Sequence, residues 1–330
     1  MKSPKPVVEI ASTGRHLPER VVTNADLATM VETSDEWIRD RTGIRERRIA
    51  ADDVGSAEMG TAAARIAMDR AGVTPGEVDL IVVSTATPDR LLPSTACDIQ
   101  ARLGATHAAA FDIAAACSGF IYGLTVAEGY IAAGRGEIAL VVATEKMSGI
   151  VDWQDRSTCV LFGDGAGAAI VRRSTNGRGV LSSFMRSDGT LAELLWRPAG
   201  GVIEPMTAEN LASRGHLVKM AGREVFKAAV RSMAEAADQA LARAGLTGDD
   251  VDLMIPHQAN MRIIEATARY SGIPMDRVFV NVDRYGNMSS ATVPVALDEA
   301  VEAGRIGPGA NTLMVAFGAG FTWASSVVRW

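Results

Sequence analysis

The chain contains one passage twice. AGVTPGEVDLIVVS at positions 71–84 aligns without a gap to AGLTGDDVDLMIPH at 244–257, an offset of 173 in a chain of 330 residues. Each copy follows an alanine-rich amphipathic stretch, 56–71 and 222–244, and each runs into an apolar segment of the buried-strand kind. The halves also close alike. FGDGAGAAIV (162–171) and FGAGFTWASSVV (317–328) are each a glycine turn followed by a strand, at an offset of 155. Duplication is the simplest explanation; convergence of two unrelated αβ units fits the matched order of elements poorly. A chain built this way must fold as two similar αβ units.

Strands are expected at 78–84, 108–113, 138–144 and 158–171, then at 251–255, 278–281, 311–317 and 321–329. Helices are expected between them, which gives the α/β class, with mixed sheets covered by helices. The polar, glycine-containing stretch 174–179 divides the chain into halves 1–174 and 175–330. The expected helix 117–133 carries Gly119, Gly123 and Ala127 at spacing four, a smooth stripe that permits close backbone approach. Such a helix suits a position between two sheets, and 288–303 is its counterpart in the second half.

Composition narrows the function. Hydrophobic residues make up 48% and charged residues 22%, the balance of a globular protein with ample core. The net charge of -6 disfavours nucleic acid or an anionic membrane as partner. Three cysteines without a CxxC pair argue against a disulfide framework and against structural zinc. His16, His107, His216 and His257 are scattered, so no metal site is expected. No apolar run reaches membrane-spanning length, and Lys2 to Ile10 lacks the apolar core of a leader peptide. A cytoplasmic protein is expected.

Cys117 stands where a strand-like run gives way to a helix-like run, among small residues that leave access to the sulfur. A helix N-terminus there stabilises thiolate over thiol. A free cysteine by itself is more commonly a small buried hydrophobe. PHQAN at 256–260 and YGNM at 285–288 change the balance by adding His257 and Asn287, both at element junctions of the duplicated plan. His257 could serve as a general base, a metal ligand or a core residue, and Asn287, beside Gly286, as a turn residue with a left-handed backbone. Cysteine, histidine and asparagine also form the papain-like triad, but the Cys-Trp signature of those proteases is missing. GDGAG at 163–167 leads into a strand rather than a helix, so it reads as a turn and not a phosphate loop. Its counterpart Gly318–Gly320 could bring a backbone N–H near the thiol.

These segments, with TSDEWIRDRTGIRER (33–47), AACSGF (115–120), FGDGAG (162–167), HQANMRII (257–264), Gly286-Asn287 and FGAGFTW (317–323), resemble the β-ketoacyl-[acyl carrier protein] synthase III family of condensing enzymes. The resemblance extends over nearly the whole length. It implies a thiolase fold of duplicated halves in an α-β-α-β-α arrangement, working as a homodimer.

The resemblance also implies roles. Cys117 takes an acyl group from acyl-CoA, and malonyl-[acyl carrier protein] then enters. His257 and Asn287 stabilise the enolate formed on decarboxylation. Backbone N–H groups of Cys117 and Ala319 form the oxyanion hole; alanine at 319 keeps that donor. Trp37 and Arg156 would stack on the CoA adenine, with Arg41 nearby and Asn260 on the pantetheine arm. Lys227, Arg262 and Arg269 would face the acidic carrier protein, and Leu92 would reach the partner subunit's acyl pocket. The charges themselves offer two uses for the cluster Arg39, Arg41, Arg45, Arg47 and Arg48: nucleic-acid binding, or, better supported by the interleaved Asp40 and Glu46, internal ion pairs for part of it. No cofactor is implied beyond the CoA thioester substrate. The expected product is a 3-oxoacyl-[acyl carrier protein] that starts type II fatty acid synthesis. The alternatives are a secondary-metabolism enzyme of the same fold and a non-catalytic scaffold that binds the carrier protein. Acetyl, longer linear and branched primers all fit.

Overall fold

The computed structural model describes residues 6–330; residues 1–5, which include the start of the Lys2–Ile10 stretch, lie outside them. The repeated passage builds the same local structure twice. Helices Ser56–Ala71 and Gly222–Ala244 both stop at a left-handed glycine, Gly72 (φ 65°) and Gly245 (φ 70°), whose amides bond back into the last turn. That conformation costs glycine little, which is why the Ala-Gly pair recurs. Two residues later a threonine caps a short 3-10 turn. The Thr74 N–H and hydroxyl donate to Glu77, and those of Thr247 to Asp250. The chain then enters strands Leu80–Ser84 and Leu253–Pro256, every residue of which is buried.

The two main sheets are numbered β1–β9 in chain order. β1 (Val8–His16), β2 (Leu80–Ser84), β3 (Ala109–Ile113), β4 (Ile138–Lys146) and β5 (Asp164–Arg173) form a five-stranded sheet in the order β1-β5-β4-β2-β3. β6 (Gly179–Ser187), β7 (Leu253–Pro256), β8 (Asn311–Gly318) and β9 (Thr322–Arg329) form a four-stranded sheet in the order β7-β8-β9-β6. Pairing is parallel for β4-β2-β3 and β7-β8, and antiparallel for the other neighbours.

The helices that matter here are α1 (Asp35–Thr42), α2 (Ser56–Ala71), α3 (Thr95–Leu103), α4 (Gly119–Ala132), α5 (Gly222–Ala244), α6 (Met261–Tyr270) and α7 (Thr292–Glu302). α4 and α7 lie between the sheets. Phe120, Leu124 and Ala127 of α4 share one core with Val293, Leu297 and Ala300 of α7 and with both sheets. α2 covers the outer face of the first sheet and α5 that of the second. This is the expected five-layer thiolase arrangement. The small-residue stripe on α4 has its use: a Cβ at Gly123 would meet the Val141 side chain at 2.8 Å.

Several boundaries differ from expectation. β1 and β6 were not anticipated; their strand pairing comes from β5 and β9, remote in sequence. Segment 158–171 is a helical turn, Arg156–Cys159, and then β5. Segment 278–281 is not a strand, for only Val278 bridges to Met254. The second sheet thus lacks a counterpart of β3. Both inner helices begin one 3-10 turn later than expected, after Ala116–Ser118 and Ser289–Ala291.

Candidate active site

Cys117 sits in the 3-10 turn between β3 and α4. The turn is tight enough that Ala116 adopts φ +43°, a conformation costing a non-glycine residue about 1–3 kcal/mol. The end of β8 presses on it. A Cβ at Gly318 would lie 2.5 Å from the Cys117 amide nitrogen, so glycine is required there. Ala319 follows and keeps φ out of the left-handed region.

Cys117, His257 and Asn287 line one cavity of about 130 Å³, walled by Phe162, Val225, Phe226, Ala229, Ile263 and Phe317 among others. All three polar residues are buried. The His257 amide continues the β7–β8 ladder by donating to the Val315 carbonyl at 2.7 Å. Its Nδ1 lies 2.6 Å from Thr292 Oγ1, which also reaches the Ser289 carbonyl at 3.0 Å. The left-handed backbone expected of Asn287 belongs instead to Gly286 (φ +64°). Asn287 Oδ1 accepts from the Ser289 amide at 2.8 Å. With the oxygen so used, the amide nitrogen is the group left to donate.

Electrostatics depart from the expected thiolate. Burial pushes the Cys117 thiol up to about 12, Glu145 adds to the rise, and a 3.5 Å contact with Ser289 Oγ opposes it. Burial therefore opposes the thiolate expected of Cys117. Cys159 is also raised, to about 11, chiefly by burial, so acidity does not single out Cys117. What distinguishes it is the cavity. Burial lowers His257 to about 3, leaving a neutral imidazole.

Trp37 on α1 carries the Arg41 guanidinium 4.4 Å and the Arg156 guanidinium 4.7 Å from its ring centre. Arg156 is held further by the Glu32 carbonyl at 2.9 Å. Asn260 lines the cavity and caps α6, its Oδ1 accepting from Ile263 N at 3.0 Å. Lys227, Arg262 and Arg269 are exposed on α5 and α6, whose Val225 and Ile263 wall the cavity. Arg262 donates to the Asp40 carbonyl at 3.0 Å. Leu92, 87% exposed, lies outside the cavity of its own chain, on a loop anchored where Asp89 accepts from the Ser56 and Ala57 amides. The arginine cluster does not pair as expected. Arg39 pairs with Asp35, and Arg47 is wholly buried on the Val22 and Val160 carbonyls and Asn24.

The sequence reading missed Ser289, Thr292 and Glu145. A signal existed in the offset of 173, which aligns Ser84 with His257, Gly119 with Thr292 and Glu145 with Gly318. Among the described residues no cluster of His, Cys, Asp or Glu is placed to hold a metal ion. No helix among them is long and apolar enough to cross a membrane.

Comparison with known proteins follows the same lines. The family described as 3-Oxoacyl-[acyl-carrier-protein (ACP)] synthase III matches residues 111–189, and its C-terminal part matches 241–330. A beta-ketoacyl-[acyl-carrier-protein] synthase III of Roseiflexus castenholzii is 52% identical over 97% of both chains. The crystal structure of 3-oxoacyl-[acyl-carrier-protein] synthase III from Aquifex aeolicus is 47% identical with a TM-score of 0.91, covering 98% of this chain and 100% of that one. The priming beta-ketosynthase of a polyketide biosynthetic pathway is 38% identical, also at TM-score 0.91, over 100% of this chain and 98% of that one. With a buried thiol, a neutral imidazole and a carboxamide around one cavity in this fold, the chain belongs to the β-ketoacyl-[acyl carrier protein] synthase III family.

Proposed function

We propose that the protein loads an acyl-CoA primer on Cys117 and condenses it with malonyl-[acyl carrier protein], starting type II fatty acid synthesis. The observation that carries this reading is the single cavity shared by Cys117, a neutral His257 and Asn287. Cys117 Sγ attacks the thioester carbonyl. The tetrahedral oxyanion is held by the amides of Cys117 and Ala319, and CoA departs as its thiol. Malonyl-carrier protein then loses carbon dioxide, and the electron pair of the broken bond passes into an enolate. Two neutral donors, His257 Nε2–H and Asn287 Nδ2–H, lower that barrier without a base. The α-carbon attacks the acyl-cysteine, the C–S bond breaks, the sulfur takes up a proton and the 3-oxoacyl-carrier protein leaves.

Trp37, Arg41 and Arg156 would receive the CoA adenine, with Asn260 on the pantetheine arm. Since Arg156 already covers the indole, a purine enters by displacing it. Lys227, Arg262 and Arg269 would meet the acidic carrier protein. The proposed assembly is a homodimer, supported by β3, an edge strand with Phe111 39% exposed, and by the exposed Leu92. Each Leu92 would then serve the partner's acyl pocket. Residues 1–174 and 175–330 would be the two halves, no cofactor would be needed, and the cytoplasm is the compartment implied.

The deciding experiment follows the half-reactions separately. Label from acyl-CoA should map to Cys117 and not to Cys97 or Cys159. His257→Ala and Asn287→Ala should each suppress labelled carbon dioxide release by on the order of 10² or more, with acyl-Cys117 still formed. Loss of acylation with decarboxylation intact would sink these assignments. A second reading, a priming enzyme of secondary metabolism, draws support from the likeness to the priming beta-ketosynthase. A kinetic panel of acyl-CoAs separates the two.

A further inference from the structure

Gln258 follows His257 directly and is wholly buried. Its carboxamide makes every hydrogen bond open to it. Nε2 donates to the carbonyls of Pro256 at 2.8 Å and Phe279 at 3.1 Å. Oε1 accepts from the amides of Asn281 at 3.0 Å and Val282 at 3.2 Å. Carbonyls only accept and amides only donate, so the side chain fits in a single orientation. It bolts the end of β7 to the start of the short helical turn Val282–Tyr285, and that turn leads straight into Gly286 and Asn287.

Glu299, on α7, grips the same turn with a buried carboxylate. It accepts from Asn281 Nδ2 at 2.9 Å, from the Tyr285 hydroxyl at 2.6 Å, and from Arg284 through two nitrogens at 2.9 and 3.1 Å. Charge-assisted bonds of this kind are the strong ones. Beyond the turn, Gly286 takes φ +64°, and a Cβ there would stand 2.8 Å from the Leu161 carbonyl oxygen. The Asn287 amide donates to that carbonyl at 2.8 Å, and its own carbonyl accepts from the Gly163 amide at 3.1 Å. The backbone of Asn287 is therefore pinned to the first half, while the turn that leads to it is pinned by Gln258 and Glu299. His257 has anchors of its own in the Val315 carbonyl and Thr292 Oγ1.

Resting on the enolate reading above, we propose that Gln258 and Glu299 are positioning residues that hold the Asn287 turn against the end of β7, so that His257 and Asn287 aim at one thioester oxygen. Neither residue lines the cavity that Cys117, His257 and Asn287 share, so both act through the donors and not on the substrate. Two N–H groups stabilise one developing charge only if both lie within hydrogen-bond reach of it. A misplacement of about 1 Å can cost on the order of 10² in rate. Apolar packing alone is not directional enough for that task. A buried polar network with every member satisfied rigidifies its surroundings and specifies one geometry. The brace ties a donor at the end of a strand to a donor some thirty residues later, after a turn.

The test measures labelled carbon dioxide release from malonyl-carrier protein, and acylation of Cys117 by acetyl-CoA, on Gln258→Met and Glu299→Gln. Each variant is made alone and together with Asn287→Ala. Alone, each should lower the kcat of decarboxylation by about tenfold to a hundredfold, with its KM and the acylation rate within about twofold of wild type. On the Asn287→Ala background each should cost about twofold or less, because the donor it positions is gone. Wild-type decarboxylation in either variant, an equal loss of acylation, or an undiminished loss on the Asn287→Ala background would overturn the brace. Should either variant fail to fold, Tyr285→Phe takes its place, since it keeps the ring and removes one bond to Glu299. It should slow decarboxylation about threefold or more, again only while Asn287 is present, and an unaltered rate would overturn the brace equally. If His257→Ala and Asn287→Ala themselves leave carbon dioxide release intact, the enolate reading falls and the brace with it.

Discussion

At the scale of single residues, the tautomer of His257 is the point on which the proposed enolate stabilisation turns. Nε2 can donate only if Nδ1 accepts, and then the Thr292 hydroxyl must point at the imidazole, 2.6 Å away, rather than at the Ser289 carbonyl, 3.0 Å away. Thr292→Val should therefore cut malonyl decarboxylation about tenfold or more while acyl-Cys117 still forms, and Thr292→Ser should restore it. Labelled carbon dioxide release on the two variants checks this. The same histidine couples stability to pH. Its folded value near 3 lies below the ordinary 6.5, so between these the unfolded chain binds a proton the folded chain refuses. Stability from this group is full above 6.5 and falls as the pH drops toward 3. Glu145 and Asp164, both raised by burial, act in the opposite sense, their stability being full below the ordinary carboxylate range and lost as pH rises from there through their folded values. Denaturant titrations at a series of pH values should show His257→Gln flattening the decline below 6.5.

At the scale of elements, the contact between β8 and the nucleophile turn sets the tolerance of the site. Gly318→Ala places a methyl against backbone, which cannot yield as a side chain can. A cost of about 1–3 kcal/mol in unfolding free energy is expected, with loss of Cys117 acylation as the proposed oxyanion amides move; urea denaturation and mass labelling measure the two. Much at this scale is legible from sequence, because α2, β2, α5 and β7 write their caps and periodicity locally. Cys117 and His257 could be singled out because they fall at junctions of the repeat. β1 is harder to read. It carries Glu9 and Arg15, whose partners Arg172 and Asp298 are more than a hundred residues distant. Ser289 and Glu145 are hidden for a related reason, since their contacts with Cys117 and Ser290 form only where the two halves face each other, whereas Thr292 meets His257 within the second half.

At the scale of the molecule, the proposed carrier-protein patch adjoins the proposed nucleotide site, for Arg262 reaches the helix that carries Trp37. Arg262 is bound to the α1 carbonyl of Asp40 and still faces solvent beside the cavity wall. Arg262→Glu should raise the KM for malonyl-carrier protein about tenfold or more at low salt, and acyl-CoA loading should be nearly unchanged. Steady-state kinetics of the two half-reactions separate these effects, and equal losses in both would assign Arg262 to the nucleotide site. The duplication has a final consequence at this scale. In the first half Gly119 stands where the second half has Thr292, and a Cβ there would fall 1.7 Å from Ser84 Oγ. Ser84 in turn occupies the place of His257. The seam between β2 and α4 is thus closed too tightly to hold an imidazole and its hydroxyl partner. Point mutation alone will not awaken a second reaction centre in this chain. A laboratory lineage seeking one would first have to widen that seam, losing packing at the heart of the fold before any new chemistry could repay selection.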